Sequence, residues 1–367
     1  VMMACGLLVV GQLYATIPLT PWIEARYGLD APTAALAGSA FGVTYAASFL
    51  ACGPLSDRLG RGRVILAGLV LLSAATVLAG PAPGFPSLLA ARALQGVFAA
   101  TLPPAAVSLV VETLPEERRP FGIAAMAFSF LASAPVAQLV VADVAEHGLP
   151  PVMLGAAPLL LAAALLLAAT LGRAGLGRPA PVSGARAASP ARDPIIVACW
   201  VCAPMLMFAF VAFQAGVQIL GPSLPIGPAT LRLLAVPALA AGFLAVPLAG
   251  RIGAPGTAIT GFAMVAAGLA LTLEGGWGGL GGGAALATAG VGIGVTGLIM
   301  TISGRAATPR RGLAVAVYTC TLFLGASLAP PAAASLAPGG PLPLLGVPAA
   351  VALAGAALLL AARRLFR

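Results

Sequence analysis

The sequence contains no lysine and no asparagine, a single histidine, and only ten acidic residues in 367. Charged residues make up 8% of the chain, against about a quarter in soluble proteins. So little charge excludes a disordered chain, which depends on polar composition to stay solvated, and an ordinary soluble enzyme. The nineteen basic residues are all arginines, and the formal net charge is +9. They stand singly or in small groups between apolar runs. A nucleic-acid binder would gather them on one soluble face, so that class is excluded. The joint absence of lysine and asparagine fits a GC-rich coding bias, which leaves the choice of arginine over lysine with little functional meaning.

Cysteine is also scarce. Cys5, Cys52, Cys199, Cys202 and Cys320 all lie within or at the edges of apolar runs. They form no disulfide framework and no zinc-ligand spacing. Cys199 and Cys202 make a C-x-x-C, but it sits inside the apolar run from Ile195 to Leu220, where an i,i+3 pair on one helix is the simpler reading. No metal and no cofactor is expected. A membrane-embedded enzyme would need a cluster such as His with Asp or Glu. The lone His147 falls in a loop, and no acid falls in the middle of an apolar run, so that class is disfavoured.

What the sequence does have is apolar length. Sixty per cent of the residues are hydrophobic and the mean hydropathy is +1.05. A membrane-crossing helix needs roughly 20 apolar residues. The pattern predicts twelve spans, near 2–22, 33–56, 64–80, 87–111, 120–141, 151–172, 195–219, 229–250, 256–273, 279–304, 312–334 and 342–362. The chain opens at Val1 inside its first apolar run, so a short N-terminal stub is expected ahead of it.

Arginine placement tests this map. If the loop at Arg58–Arg63 is cytoplasmic, alternation makes both chain ends cytoplasmic and places sixteen of the nineteen arginines on that side. Only Arg26 falls in an outer loop, while Arg92 and Arg232 fall within spans. That asymmetry is the positive-inside rule. It predicts an even number of spans with both ends in the cytoplasm.

The longest interruption, 173–194, is rich in Gly, Ala, Pro, Ser and Arg, a flexible-linker composition. It divides the chain into a six-helix bundle at 1–172 and another at 195–367. The halves repeat. Pro54-Leu-Ser-Asp-Arg-Leu-Gly-Arg-Gly-Arg63 follows the second span, and Pro247-Leu-Ala-Gly-Arg-Ile-Gly-Ala-Pro-Gly256 follows the eighth. Pro, Leu, Arg and Gly agree in register. Pro115-Glu-Glu-Arg-Arg119 faces Pro309-Arg-Arg311 at nearly the same offset. Parallel repeats of this kind are a transporter architecture.

The segment Gly53-Pro-Leu-Ser-Asp57-Arg58-Leu-Gly60-Arg61-Gly62-Arg63 resembles the signature loop of the major facilitator superfamily, G-x-L-x-D-R-x-G-R-R. It departs from that pattern at Gly62, with Arg63 one place later. Arg92 and Gly96 resemble the family's R-x-x-x-G element on span four. Among the branches, the chain is most similar to bacterial drug and sugar efflux (drug:proton antiporter-like). The Gly-Pro motif of that branch is reduced here to Pro135 among Ala and Ser. The resemblance implies an all-α membrane protein with twelve transmembrane helices in two pseudo-symmetric bundles. It also implies alternating-access movement of a small organic molecule by a working monomer. Efflux of a hydrophobic drug-like compound or a sugar is the favoured form, with protons as a candidate coupling partner. Uncoupled or anion-selective facilitation is the alternative.

Physical reasoning assigns candidate roles within that frame. Gly60 and Gly62 are free to take φ > 0 in the tight turn. Asp57 is an acid among arginines at a helix end, and the resemblance implies that it meets the start of span eleven near Gly312. Glu112, closing span four, is a candidate partner for Arg58 or Arg61. Such contacts form a latch that biases alternating access; otherwise the charges merely orient loops. Arg92 is the foremost internal candidate, because a charge within a span is costly unless paired or hydrated. Its alternative is snorkelling to the outer interface, and Arg232 on span eight is similar. Gln12, Tyr14, Tyr45, Gln95, Gln138, Gln214 and Gln218 are candidate pathway residues or interhelical glue. Gln214 and Gln218 share one helix face at i,i+4. Asp143, at the outer end of span five, is the candidate acid for proton coupling. Partners are the substrate and membrane lipid.

Replacing Asp57 by Asn is expected to leave the protein folded and to cut transport strongly. Wild-type turnover in a well-expressed mutant would remove the latch.

Overall fold

The computed structural model describes residues 1–115, 118–172, 189–306 and 311–366. Every regular element among them is helical. Among the described residues, eleven helical stretches are long and apolar enough to cross a membrane, two of them (Phe85–Val107 and Pro228–Ile252) running across local breaks, and Met2–Tyr14 is a shorter apolar helix. The chain divides into two compact units, Val1–Ser183 and Gly184–Arg367.

Unit one contains α1 (Met2–Tyr14), α2 (Thr20–Tyr27), α3 (Ala31–Leu59), α4 (Arg61–Ala79), α5 (Phe85–Ala99), α6 (Leu102–Thr113), α7 (Arg119–Ala142) and α8 (Leu149–Leu171). Predicted spans two, three, five and six are found within about three residues at each end. Spans one and four are interrupted. Pro18 has no N–H to give the Tyr14 carbonyl, so α1 stops there. Ile17 N closes a tighter turn on Tyr14 O at 3.2 Å instead. Pro103 and Pro104 similarly separate α5 from α6, and the Thr101 hydroxyl donates to Phe98 O at 2.8 Å across the break.

Unit two contains α9 (Pro194–Leu220), α10 (Pro228–Ala235), α11 (Ala245–Ile252), α12 (Ala254–Thr272), α13 (Gly276–Arg305), α14 (Arg311–Leu336) and α15 (Pro341–Leu365). Predicted span eight is three pieces: α10, a 3-10 run at Pro237–Leu244, and α11. Pro237 opens the middle piece, where its missing N–H ends the preceding α-helical pattern. The Gly-rich stretch at 275–283 opens a 30-residue helix, α13.

The sequence repeat is also a backbone repeat. Gly60 (φ 95°) ends α3 and starts α4; Gly253 (φ 80°) does the same between α11 and α12. Gly148 (φ 82°, ψ −165°) and Gly340 (φ 79°, ψ −166°) precede α8 and α15, each after one turn of 3-10 helix. These backbone angles strongly favour glycine. Gly62 is a correction to the sequence reading: it is helical, buried in the first turn of α4, and absent from the positive-φ residues. Gly60 alone makes the turn.

Unit two packs through backbone. A Cβ added at Gly290 of α13 would lie 2.7 Å from Gly261 O and 2.7 Å from Val265 N on α12. Gly268 and Gly297 meet the partner helix in the same manner. Small residues let helices approach closely in lipid, where no hydrophobic drive joins them. In contrast, a Cβ at Gly278 of α13 meets nothing within 4 Å. Gly290→Ala is therefore expected to destabilise the purified protein by about 1–3 kcal/mol through overpacking, with Gly278→Ala melting like the wild type. Equal melting temperatures would show that the α12–α13 contact has room to relax.

Candidate functional site

Arg92 lies in α5 and is completely buried. Snorkelling to an interface is therefore excluded for it. Three acceptors and a ring surround its guanidinium. Nε donates to Ala37 O of α3 at 3.2 Å. Nη1 donates to Gln95 Oε1 at 2.8 Å. Nη2 donates to Gln12 O of α1 at 2.7 Å. The Phe41 ring stacks on the group, with its centroid 4.6 Å from Cζ, a cation–π contact. No carboxylate pairs with it among the described residues.

The local sequence explains this reach. Gln12 O is among the last carbonyls of α1, which the helix leaves without an intrahelical donor. Arg92 fills that vacancy with a cation, the favourable charge at a helix C-terminus. Gly96 stands four residues later on the same face of α5. A Cβ there would collide with the Phe41 carbonyl and the Thr44 hydroxyl. The Thr44 hydroxyl also donates to Ala93 O at 2.8 Å. The R-x-x-x-G spacing thus lets α5 press against α3 so that the arginine can reach both α3 and α1.

Gln95 extends the network. Its Nε2 donates to Thr76 Oγ1 of α4 at 2.7 Å and contacts Met153 Sδ of α8 at 3.7 Å. Ser73 Oγ donates to Ala157 O at 2.7 Å, a second tie between α4 and α8. Sequence reasoning named Arg92, Gln12 and Gln95 but missed Thr76, Ser73, Thr44 and Phe41. Hydroxyls within a span were the available signal; the carbonyl acceptors left none.

Three further candidates in unit one are buried with polar atoms unpaired among the described residues. They are Gln12 Oε1, the Tyr14 hydroxyl and Gln138 Oε1. Gln138 Nε2 donates only to its own helix, at Ala134 O, 3.2 Å away. Tyr45 is buried in a row of rings with Phe41 and Phe49, at centroid distances of 5.5 and 4.5 Å.

The signature loop spans the end of α3 and the start of α4. Gly53 is half-buried, Arg58 is exposed and Arg61 is half-buried. Ser56 Oγ closes the last turn by donating to Gly53 O at 2.8 Å. The side chains of Asp57 and Glu112, and the expected contact near Gly312, lie outside the described residues. Asp143 is exposed at the end of α7. Glu146 and His147 are exposed beyond it, 3.7 Å apart.

In unit two, Arg232 of α10 is 1% exposed. Its Nη2 donates to Gln218 Oε1 of α9 at 2.7 Å. The structure therefore brings Arg232 and Gln218 together, with Gln214 one turn away from Gln218 along α9. A further ion pair escaped the sequence reading. Asp193 caps α9, accepting from Ile195 N at 2.9 Å and Ile196 N at 3.4 Å. It also receives Arg305 Nε of α13 at 2.8 Å.

Arg92→Met would orphan Gln12 O and Gln95 Oε1 in a dry interior, at about 1–3 kcal/mol for each group left unpaired. A marked fall in the melting temperature of the purified protein is expected. Arg92→Lys should recover only part of it, since a single ammonium lacks the planar fork that meets several acceptors at once. A Met variant that melts like the wild type would contradict the clamp.

Comparison with known proteins follows this geometry. The chain is 34% identical to the puromycin resistance protein pur8 of Streptomyces alboniger over 126 residues, 34% of this chain and 25% of that protein. It is 34% identical to the multidrug efflux pump LfrA of Mycolicibacterium smegmatis over 143 residues, 38% of this chain and 28% of that one. Multidrug resistance protein D of Escherichia coli matches at 36% over 106 residues, 26% of this chain and 27% of that protein. The matches thus span about a quarter of each of these relatives. The fold superimposes on the crystal structure of the human organic anion transporter MFSD10 with a TM-score of 0.71 and 16% identity, over 100% of this chain and 98% of that one. Residues 2–296 match the Major Facilitator Superfamily, and the chain is a multi-pass membrane protein belonging to that family of transporters.

Proposed function

We propose that this protein exports a hydrophobic, drug-like small molecule across a bacterial cytoplasmic membrane by alternating access. In this reading it has twelve spans, two six-helix halves at 1–172 and 195–367, both termini in the cytoplasm, and acts as a monomer. The interrupted helices α1 with α2, α5 with α6, and α10 with α11, then each count as one span. Sugar is the second substrate class.

The observation that carries the reading is the character of unit one's interior. It is mostly apolar, its buried Arg92 is hydrogen-bonded, no acid is buried in it among the described residues, and a few neutral polar atoms, on Gln12, Tyr14 and Gln138, are unpaired there. Such an interior suits a ligand with a large apolar body and a few hydrogen-bonding groups. The similarity to efflux pumps supports the outward direction.

Proton coupling is the expected energy source, with Asp143, at the end of α7, as the candidate acid. Uncoupled or anion-selective facilitation is the second reading. It draws on the two buried guanidiniums and the absence of a buried acid among the described residues.

Expression in a bacterial strain stripped of its own pumps tests the proposal. Cells should retain less ethidium and tolerate more puromycin than vector controls, and a protonophore should abolish both effects. Efflux that survives collapse of the proton gradient would establish uncoupled movement. Retention equal to the control across drugs and sugars would overturn export.

A further inference from the structure

The two buried guanidiniums are in opposite states. Arg92 has hydrogen bonds from Nε, Nη1 and Nη2 and a ring against its face. Arg232 makes one hydrogen bond among the described residues, Nη2 to Gln218 Oε1 at 2.7 Å. Its Nε is buried without a partner. No carboxylate lies within pairing distance of it among the described residues.

Nε and Nη2 form one edge of the guanidinium. Two parallel N–H groups on that edge match the two oxygens of a carboxylate, sulfonate or phosphate. Gln218 Oε1 accepts from Nη2, and Nε is left without an acceptor. A neutral amide oxygen is a poor counter-charge for a buried cation, since burial of an unpaired charge is strongly unfavourable. Gln214 lies four residues before Gln218, so both face the same way along α9. It is 3% exposed and forms no hydrogen bond among the described residues. Gln218 is half-buried. Further along α9, Phe213, Phe210, Met207 and Leu206 are buried and apolar.

We propose that Arg232 binds an oxyanion group carried on an apolar body, with Gln218 holding the place of that group in the empty protein and Gln214 offering a further amide donor. The inference rests on the transport reading for its substrate: it adds amphipathic organic acids to the drug-like compounds of that reading. A phospholipid headgroup carries the same chemistry. In the topology read from arginine placement, Gln218 and Arg232 lie near the outer ends of spans seven and eight. The site is therefore at the release end of an exporter. Arg92, each of whose three nitrogens already holds an acceptor, contributes no binding to the anion.

Direct binding to purified protein in lipid-free maltoside detergent tests this without any transport assay. The probe is fluorescein, followed by anisotropy; rhodamine 123, a cationic xanthene with its carboxyl esterified, is the matched control. Wild-type protein should bind fluorescein. Arg232→Ala should weaken it about tenfold or more, the loss of a charge-assisted hydrogen bond. Gln218→Glu places a fixed carboxylate on the guanidinium. It should abolish fluorescein binding while raising the melting temperature, which also answers the case in which Arg232→Ala fails to fold. Competition identifies the source. Displacement by deoxycholate at lower concentration than by phosphatidylglycerol supports an organic acid; the reverse order supports the oxyanion site and assigns it to lipid. No fluorescein binding by the wild type, or unimpaired binding by Gln218→Glu, overturns the proposal. Rhodamine 123 binding in that event leaves export standing. Arg232-dependent fluorescein binding in a protein that exports nothing in cells would sink export and keep the site.

Discussion

Within a bilayer, every backbone group that a helix does not satisfy must find its partner inside the protein. Unit one is organised around that constraint. Its first span breaks at Tyr14 because Pro18 cannot continue the ladder, and the broken end presents carbonyls to a region without water. Arg92 answers one of them at Gln12. To do so it must cross the face of α3, and that requires α5 and α3 to touch at backbone distance, which Gly96 allows. Gln95 then fixes Nη1 and is itself fixed by Thr76. The break, the arginine, the glycine and the glutamine are one solution to one problem. Removing any of them leaves a polar atom in a dry place.

The two units share backbone turns and differ in how they are held. Gly60 with Gly253, and Gly148 with Gly340, mark the same joints in each. Between those joints unit one joins α1, α3, α4, α5 and α8 by side-chain hydrogen bonds. Unit two joins α12 to α13 by glycine-lined backbone contact. The turns recur in both units, while the side chains between them differ. A hydrogen-bonded network has discrete alternatives, whereas a close backbone seam keeps its geometry while it moves as a body. Side-chain bonds between helices in unit two include Arg232 to Gln218 between α10 and α9, Trp200 to the Ala314 carbonyl between α9 and α14, and the Asp193–Arg305 pair at the far end of α9.

The spans were legible because apolar length and arginine placement both report on the same thing, the boundary between lipid and water. Ends at Gly60, Gly148 and Gly253 coincide with glycines that only a tight turn explains. The interruptions at Pro18, Pro103 and Pro237 were written in the sequence yet passed over, since hydropathy averages across a single proline. Arg92 was legible as a buried cation, but its function as a clamp was not. Two of its three hydrogen-bond acceptors are carbonyls, Ala37 and Gln12, and a carbonyl is common to every residue type. Phe41 reads as one more apolar residue until its ring is found against the guanidinium. Gly62 carried the opposite error: a glycine beside a turn is not thereby the residue that makes it.

Charge counting alone treats Arg92 and Arg232 as equivalents, one in each half. Their surroundings separate them. A buried cation whose three nitrogens each hold an acceptor has little to gain; adding an anion would cost bonds it already has. A buried cation with an empty Nε gains a bond from an anion and loses only a neutral amide contact. That difference also bears on energy coupling. With no acid buried among the described residues to neutralise Arg232, its positive charge is a fixed feature of the empty unit. A bound oxyanion cancels that charge, so the loaded and empty units differ by one charge in a low-dielectric setting, where such a difference is large. The membrane potential then acts differently on the two forms. A charge carried by the ligand itself can bias the cycle, which removes the need for a titratable side chain at the centre of the protein.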